Sequence, residues 1–117
     1  MKYLILIYRN PQARQVWETL PEEQRAAGFA AYAELDEELA ASGELIVSEA
    51  LAGPEAGRRV RVAEGRTITS DGPFAESAEV VGGFYVLRAT DRDAAVAVAR
   101  QIPAEAIELR PIMEVGG

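Results

Sequence analysis

The chain of 117 residues contains no cysteine and no histidine. The first absence excludes disulfides and thiol chemistry, and the two together exclude Cys/His zinc sites. The second removes imidazole, the side chain that most often moves protons near neutral pH. Any acid–base work therefore falls to Asp, Glu, Lys or Tyr. No ligand spacing of an EF-hand kind is present, so we expect neither a metal nor a cofactor. Long apolar runs are lacking too. MKYLILIY is too short to span a membrane, and Arg9-Asn10-Pro11 follows at once, leaving no small-residue cleavage site. The expectation is a cytoplasmic protein with no membrane contact. Cations are scarce, 12 Lys and Arg against 19 Asp and Glu, for a net charge of −7. That balance opposes binding to polyphosphate, and Arg58-Arg59 with Arg61 form no long basic patch, so nucleic acid is not an expected partner.

What is present fits one soluble domain over residues 1–117, with 49% hydrophobic and 26% charged residues. Residues 2–8 read as a strand, apolar on both faces, with Tyr3, Ile5 and Ile7 on one side and Leu4, Leu6 and Tyr8 on the other. Residues 12–18 read as a short helical turn carrying Val16 and Trp17. Thr19-Leu20-Pro21-Glu22 matches a capping box before a helix over about 21–42. Ala26, Phe29, Tyr32, Ala33, Asp36 and Leu39 fall near one side of that helix, with Leu35 adjacent, and Gly43 is placed as its C-terminal cap. Strands are expected over 44–51, over 58–63 and 66–70 as a hairpin around Glu64-Gly65, over 80–89 and over 107–113. A second helix starts at the capping-box pattern Thr90-Asp91-Arg92-Asp93 and ends before Pro103.

Without the hairpin, the order is strand, helix, strand, strand, helix, strand. This is the α+β, ferredoxin-like βαββαβ plan with an inserted β-hairpin. Two helices cover only one face of such a sheet, yet two strands are apolar on both faces. An open apolar face calls for a cover, and a second copy packed sheet to sheet is the simplest. A homodimer with a barrel-like core is expected.

The stretch Ser70-Asp71-Gly72-Pro73-Phe74-Ala75-Glu76 is more particular than a turn requires. Turn chemistry accounts for Asp71, Gly72 and Pro73, and Phe74 then drops into the core. The surplus lies in Glu76 and Glu79, two further carboxylates, and in Gly82-Gly83, which interrupts an apolar strand and leaves room for a ligand or another backbone. Glu108 and Arg110 share a face of the last strand, as an exposed or paired edge or as part of a polar cavity.

These residues carry a resemblance. "TSDGPFAESAEVVGGFYVLRATDRDAAVAVARQIP", followed by "IELRPI", resembles the DGPF family within the YCII-related group. Asp71 to Glu76, Glu79, Gly82, Gly83, Pro103, Glu108, Arg110 and Pro111 match its pattern. The KYLILIY strand and the helix ending at Gly43 extend the likeness over nearly the whole chain. The resemblance implies a dimeric α+β barrel. In some relatives it implies a His–Asp pair in a cleft, whose aspartate falls at or near Asp71 and whose histidine falls near Tyr32. This chain has no histidine, so that mechanism does not carry over. The lysine usual before the second glutamate is also absent, and Ala78 stands there. Other DGPF relatives accompany extracytoplasmic-function sigma factors, which hints at a regulatory protein partner.

Two readings follow. In one, a cleft near the DGPF loop binds a small polar or anionic molecule. Asp71 is then its anchor or acid/base, Glu76 and Glu108 tune the charge, Arg110 holds an anionic group, and Tyr8 or Tyr32 supplies a hydroxyl or stacking face. In the other, the protein is a non-catalytic dimeric regulatory module, and Asp71, Glu76 and Arg110 lock a loop against the last strand.

Overall fold

The computed structural model describes residues 1–9, 11–53, 56–71, 80–104 and 106–114. The elements are β1 (Lys2–Arg9), α1 (Pro11–Thr19), α2 (Glu22–Ser42), β2 (Leu45–Ala50), β3 (Arg58–Ala63), β4 (Arg66–Asp71), β5 (Val80–Arg88), α3 (Arg92–Ala99) and β6 (Ala106–Pro111). Four strands form one sheet in the order β2-β5-β1-β6, and β3 and β4 form a separate two-stranded sheet. Every neighbouring pair is antiparallel. With the hairpin set aside, this α+β arrangement agrees with the ferredoxin-like plan.

The two central strands are the two whose sequences are apolar on both faces. β1 alternates between buried and half-buried residues along its length. Tyr3, Ile5 and Ile7 point into the core with Tyr85 and Leu87 of β5. Leu35 and Leu39 of α2, Val98 of α3 and Ile102 close over them. Ile5 and Leu87 are completely buried, and truncating either to alanine removes about 2–5 kcal/mol. The opposite face carries Leu4, Leu6, Tyr8, Phe84 and Val86, all half-buried and outside this cluster.

The helix caps differ in how they form. Gly43 adopts φ 79° and donates its N–H to Ala40, the left-handed ending expected of it. At the other end no capping box forms. Pro21 occupies the cap position without a side-chain bond, and Thr19 Oγ1 donates to the Val16 carbonyl at 2.7 Å, closing the end of α1 instead. In α3 the cap is Asp91, whose carboxylate accepts from the Ala94 N–H at 2.8 Å.

The apolar stripe foreseen along α2 is shorter than its periodicity implied. Leu35 and Leu39 are buried, but Phe29 is 66% exposed, and Ala26 and Ala33 are exposed. A helix of 21 residues is roughly 31 Å long and overruns the sheet. Its first half is met by α1, whose Trp17 ring lies so close over Gly28 that a Cβ there would come within 2.8 Å. Trp17 also meets Phe29 edge to face, at 5.3 Å and 89°.

The hairpin turns at Glu64-Gly65, both at positive φ (52° and 76°), in a two-residue loop of the type I′ kind. Among the described residues, β3 and β4 pack on each other and on hardly any other element. The radius of gyration is 16.6 Å, against about 13 Å for a compact domain of this length.

Gly83 sits in β5 opposite Ala50 of β2. A Cβ on it would stand 2.9 Å from the Glu49 backbone carbonyl oxygen. Gly83→Ala is therefore expected to lower stability by about 1–3 kcal/mol. The readout is a lower urea midpoint at unchanged slope; an unchanged midpoint would show that β2 and β5 separate there without cost.

Candidate functional site

The polar side chains that the fold brings together lie on the helix side of the sheet. Tyr32 and Asp36 are one turn apart on α2 and share its inward face. Ser48 of β2 and Tyr85 of β5 are cross-strand partners beneath them. Tyr85 Oη donates to Asp36 Oδ1 at 2.6 Å, and Ser48 Oγ donates to Asp36 Oδ2 at 3.1 Å. Both carboxylate oxygens of Asp36 thus hold a donor. Nearer the end of the sheet, Arg9 Nη2 donates to Tyr32 Oη at 3.2 Å, and Tyr32 Oη donates to the Pro103 carbonyl at 3.2 Å.

The glycine pair shapes this end. The β1–β5 register shifts between Ile7 and Tyr8, placing an extra residue at Gly82. A Cβ at Gly82 would meet Arg9 Cδ at 2.9 Å and Nε at 3.0 Å. Gly82 therefore gives room to the Arg9 side chain, and Gly83 gives room to the β2 backbone. Arg9 pairs with Val80, so the chain joins β5 beside this guanidinium.

Burial pushes the Tyr85 phenol well above its ordinary value of 10.0, and its hydrogen bond to Asp36 adds to the effect. Tyr85 is a neutral donor at physiological pH. The Asp36–Tyr85–Ser48 group is a lock between helix and sheet, while Arg9 and Tyr32 form the more exposed part of the cluster.

The positions singled out from sequence fall on different sides. Tyr32 faces the core side. Tyr8, cross-strand from Val81 and Ala106, belongs to the opposite face. Glu108 and Arg110 also lie there, exposed on the edge strand β6 and cross-strand from Leu6 and Leu4. The sheet separates Tyr32 from these three. Asp71 ends β4, its backbone paired with Arg58. Gly72, Pro73, Phe74, Glu76 and Glu79 lie outside the described residues. The sequence alone does not mark Arg9, Asp36, Ser48 or Tyr85 as site residues. Asp36 had a visible signal, a carboxylate within an apolar helix stripe. Arg9 had none, because its role depends on the space at Gly82. Among the described residues no three His, Cys, Asp or Glu gather to hold a metal ion. No helix is long and apolar enough to cross a membrane.

Tyr85→Phe is expected to cost about 1–3 kcal/mol, because the half-buried Asp36 carboxylate loses one of its two donors. A phenol whose folded pKa is raised contributes stability that is fully present below pH 10 and lost as pH rises above it. Unfolding free energies measured from pH 8 to 11 should fall at the alkaline end, and fall less in Tyr85→Phe. Identical slopes in the two proteins would contradict the assignment.

Comparison with known proteins places this geometry in a lineage. A protein of Rhizobium meliloti (strain 1021), itself uncharacterised, is 28% identical over 102 residues, covering 87% of this chain and 80% of the relative. The family model described as YCII-related domain matches residues 1–115. The chain belongs to the YCII-related domain family.

Proposed function

We propose that the protein binds a small anionic molecule, with a carboxylate or similar group held by Arg9 at the end of the sheet beside Tyr32. The observation that carries this reading is the Arg9–Tyr32–Pro103 hydrogen-bond chain laid over Gly82. A planar guanidinium suits a carboxylate, and the neighbouring hydroxyl is fixed by an acceptor behind it. The chain leaves β4 at Asp71 and rejoins the sheet at Val80, cross-strand from Arg9. Asp71 and Glu76 belong to this reading as polar anchors of the ligand, with Asp71 as anchor before catalyst because no histidine accompanies it. Arg9 takes the anion-holding role that the sequence alone assigned to Arg110.

A thermal-shift screen of small carboxylates, phenols and lactones tests this. A ligand at a hundredfold excess over its Kd stabilises the native state by about 2.7 kcal/mol. Arg9→Met keeps a long side chain over Gly82 and is expected to fold but to lose the shift, as is Asp71→Asn. A shift of equal size in Arg9→Met, or no shift with any compound on the native chain, would sink the reading.

A second reading rests on the other face of the sheet. Leu4, Leu6, Phe84 and Val86 make a central apolar patch there, bordered by Glu49, Glu108 and Arg110. This favours a sheet-to-sheet homodimer closing a barrel-like core, with the protein as a non-catalytic regulatory module for a protein partner such as a sigma factor. Light scattering should give twice the chain mass of 12.6 kDa, and Leu6→Glu should return it to one chain. A native monomer at working concentration excludes this reading.

A further inference from the structure

Two surface features remain unused by the fold, and they complement each other. The first is the β3–β4 hairpin. On one of its faces Ile68, 52% exposed, lies cross-strand from Arg61 and two residues from Arg66. Residues 58–71 hold four arginines against two carboxylates, whereas the rest of the chain holds eight cations against seventeen carboxylates. The hairpin is thus a cationic arm on a strongly acidic body. An isolated two-stranded hairpin is marginal in water, and this one packs on hardly any other described element.

The second feature is the shelf where α1 folds back on α2. Trp17, Glu22, Arg25, Ala26 and Phe29 line a shallow depression of about 350 Å³. Phe29 is 66% exposed and nearby Val16 60% exposed. Glu22 and Glu23 stand exposed in the first turn of α2.

We propose that the hairpin of a second copy of this chain docks on this shelf. Ile68 covers the Trp17–Phe29 surface. Arg61 and Arg66 flank it, where they meet Glu22 and Glu23 and stack on the aromatic rings. A two-fold axis makes the contact twice, which closes the pair rather than starting a filament. The inference rests on the self-association of the second reading above, but it adds a contact that the sheet face does not contain.

The absence of native cysteine gives a direct test. Ala63 and Ala26 are exposed, one on the arginine-bearing face of the hairpin and one in the depression. Chains carrying Ala63→Cys and chains carrying Ala26→Cys are mixed and oxidised. With the two chains in equal amounts, random pairing gives the mixed disulfide twice the abundance of either homodimeric one, and the mixed disulfide is expected to exceed that ratio clearly. Arg61→Glu with Arg66→Glu should weaken association about tenfold or more. Glu22→Arg with Glu23→Arg in the partner should restore it, and high salt should reduce the native contact. A mixed disulfide at no more than twice either homodimeric one, or charge reversals without effect, overturns the proposal. A native monomer sinks it together with the sheet-face dimer. A dimer that Leu6→Glu dissolves, but that yields no preferred mixed disulfide, sinks the hairpin contact alone.

Discussion

The pairing of β1 with β5 governs this molecule. Both strands are apolar on both faces, so neither is stable at an edge, where one flank of the backbone and both side-chain rows meet water. Once they pair, β2 and β6 take the flanks, α2 and α3 cover one face, and the other face is left apolar. The site depends on the same pairing. The register shift beside Gly82 exists only because β1 and β5 run side by side, and it makes the space in which Arg9 lies.

The hydrogen bonds on the helix side divide into two kinds of work. At Asp36 every described partner is a neutral donor from the sheet, and the carboxylate is satisfied twice. Such a group holds α2 in place and has little left to offer a ligand. At Arg9 and Tyr32 donation runs from an exposed cation to a half-buried hydroxyl and on to the Pro103 carbonyl, and the cation end faces solvent. Position along one helix, a single turn, separates the locked group from the available one.

Much of the architecture was legible in the sequence. Alternating and two-sided apolar strands, Gly43, and the Glu64-Gly65 turn each have a local physical cause, and local causes are readable one residue at a time. The exposure of Phe29 was not legible, because a 3.6-residue period tells which side of a helix is apolar but not how far the sheet extends beneath it. The failed capping box has a similar origin: Thr19 is the last residue of α1, three before the start of α2, and the carbonyl at Val16 wins its hydroxyl. The site was less legible than the fold. Tyr85 and Asp36 are 49 residues apart and Arg9 and Tyr32 are 23 apart, and only the sheet register brings such pairs together.

The hairpin has a consequence for the chain before it finds any partner. Val60 and Val62 are 65% and 70% exposed in a strand whose outer edge has no partner among the described residues, the kind of segment that adds further strands from other molecules. Arginine at 58, 59 and 61 interrupts that run at alternate and flanking positions. The same cations that lend the arm its charge would therefore keep newly made chains from stacking edge to edge, so that replacing them with uncharged residues exposes the protein to aggregation even where the folded body is untouched.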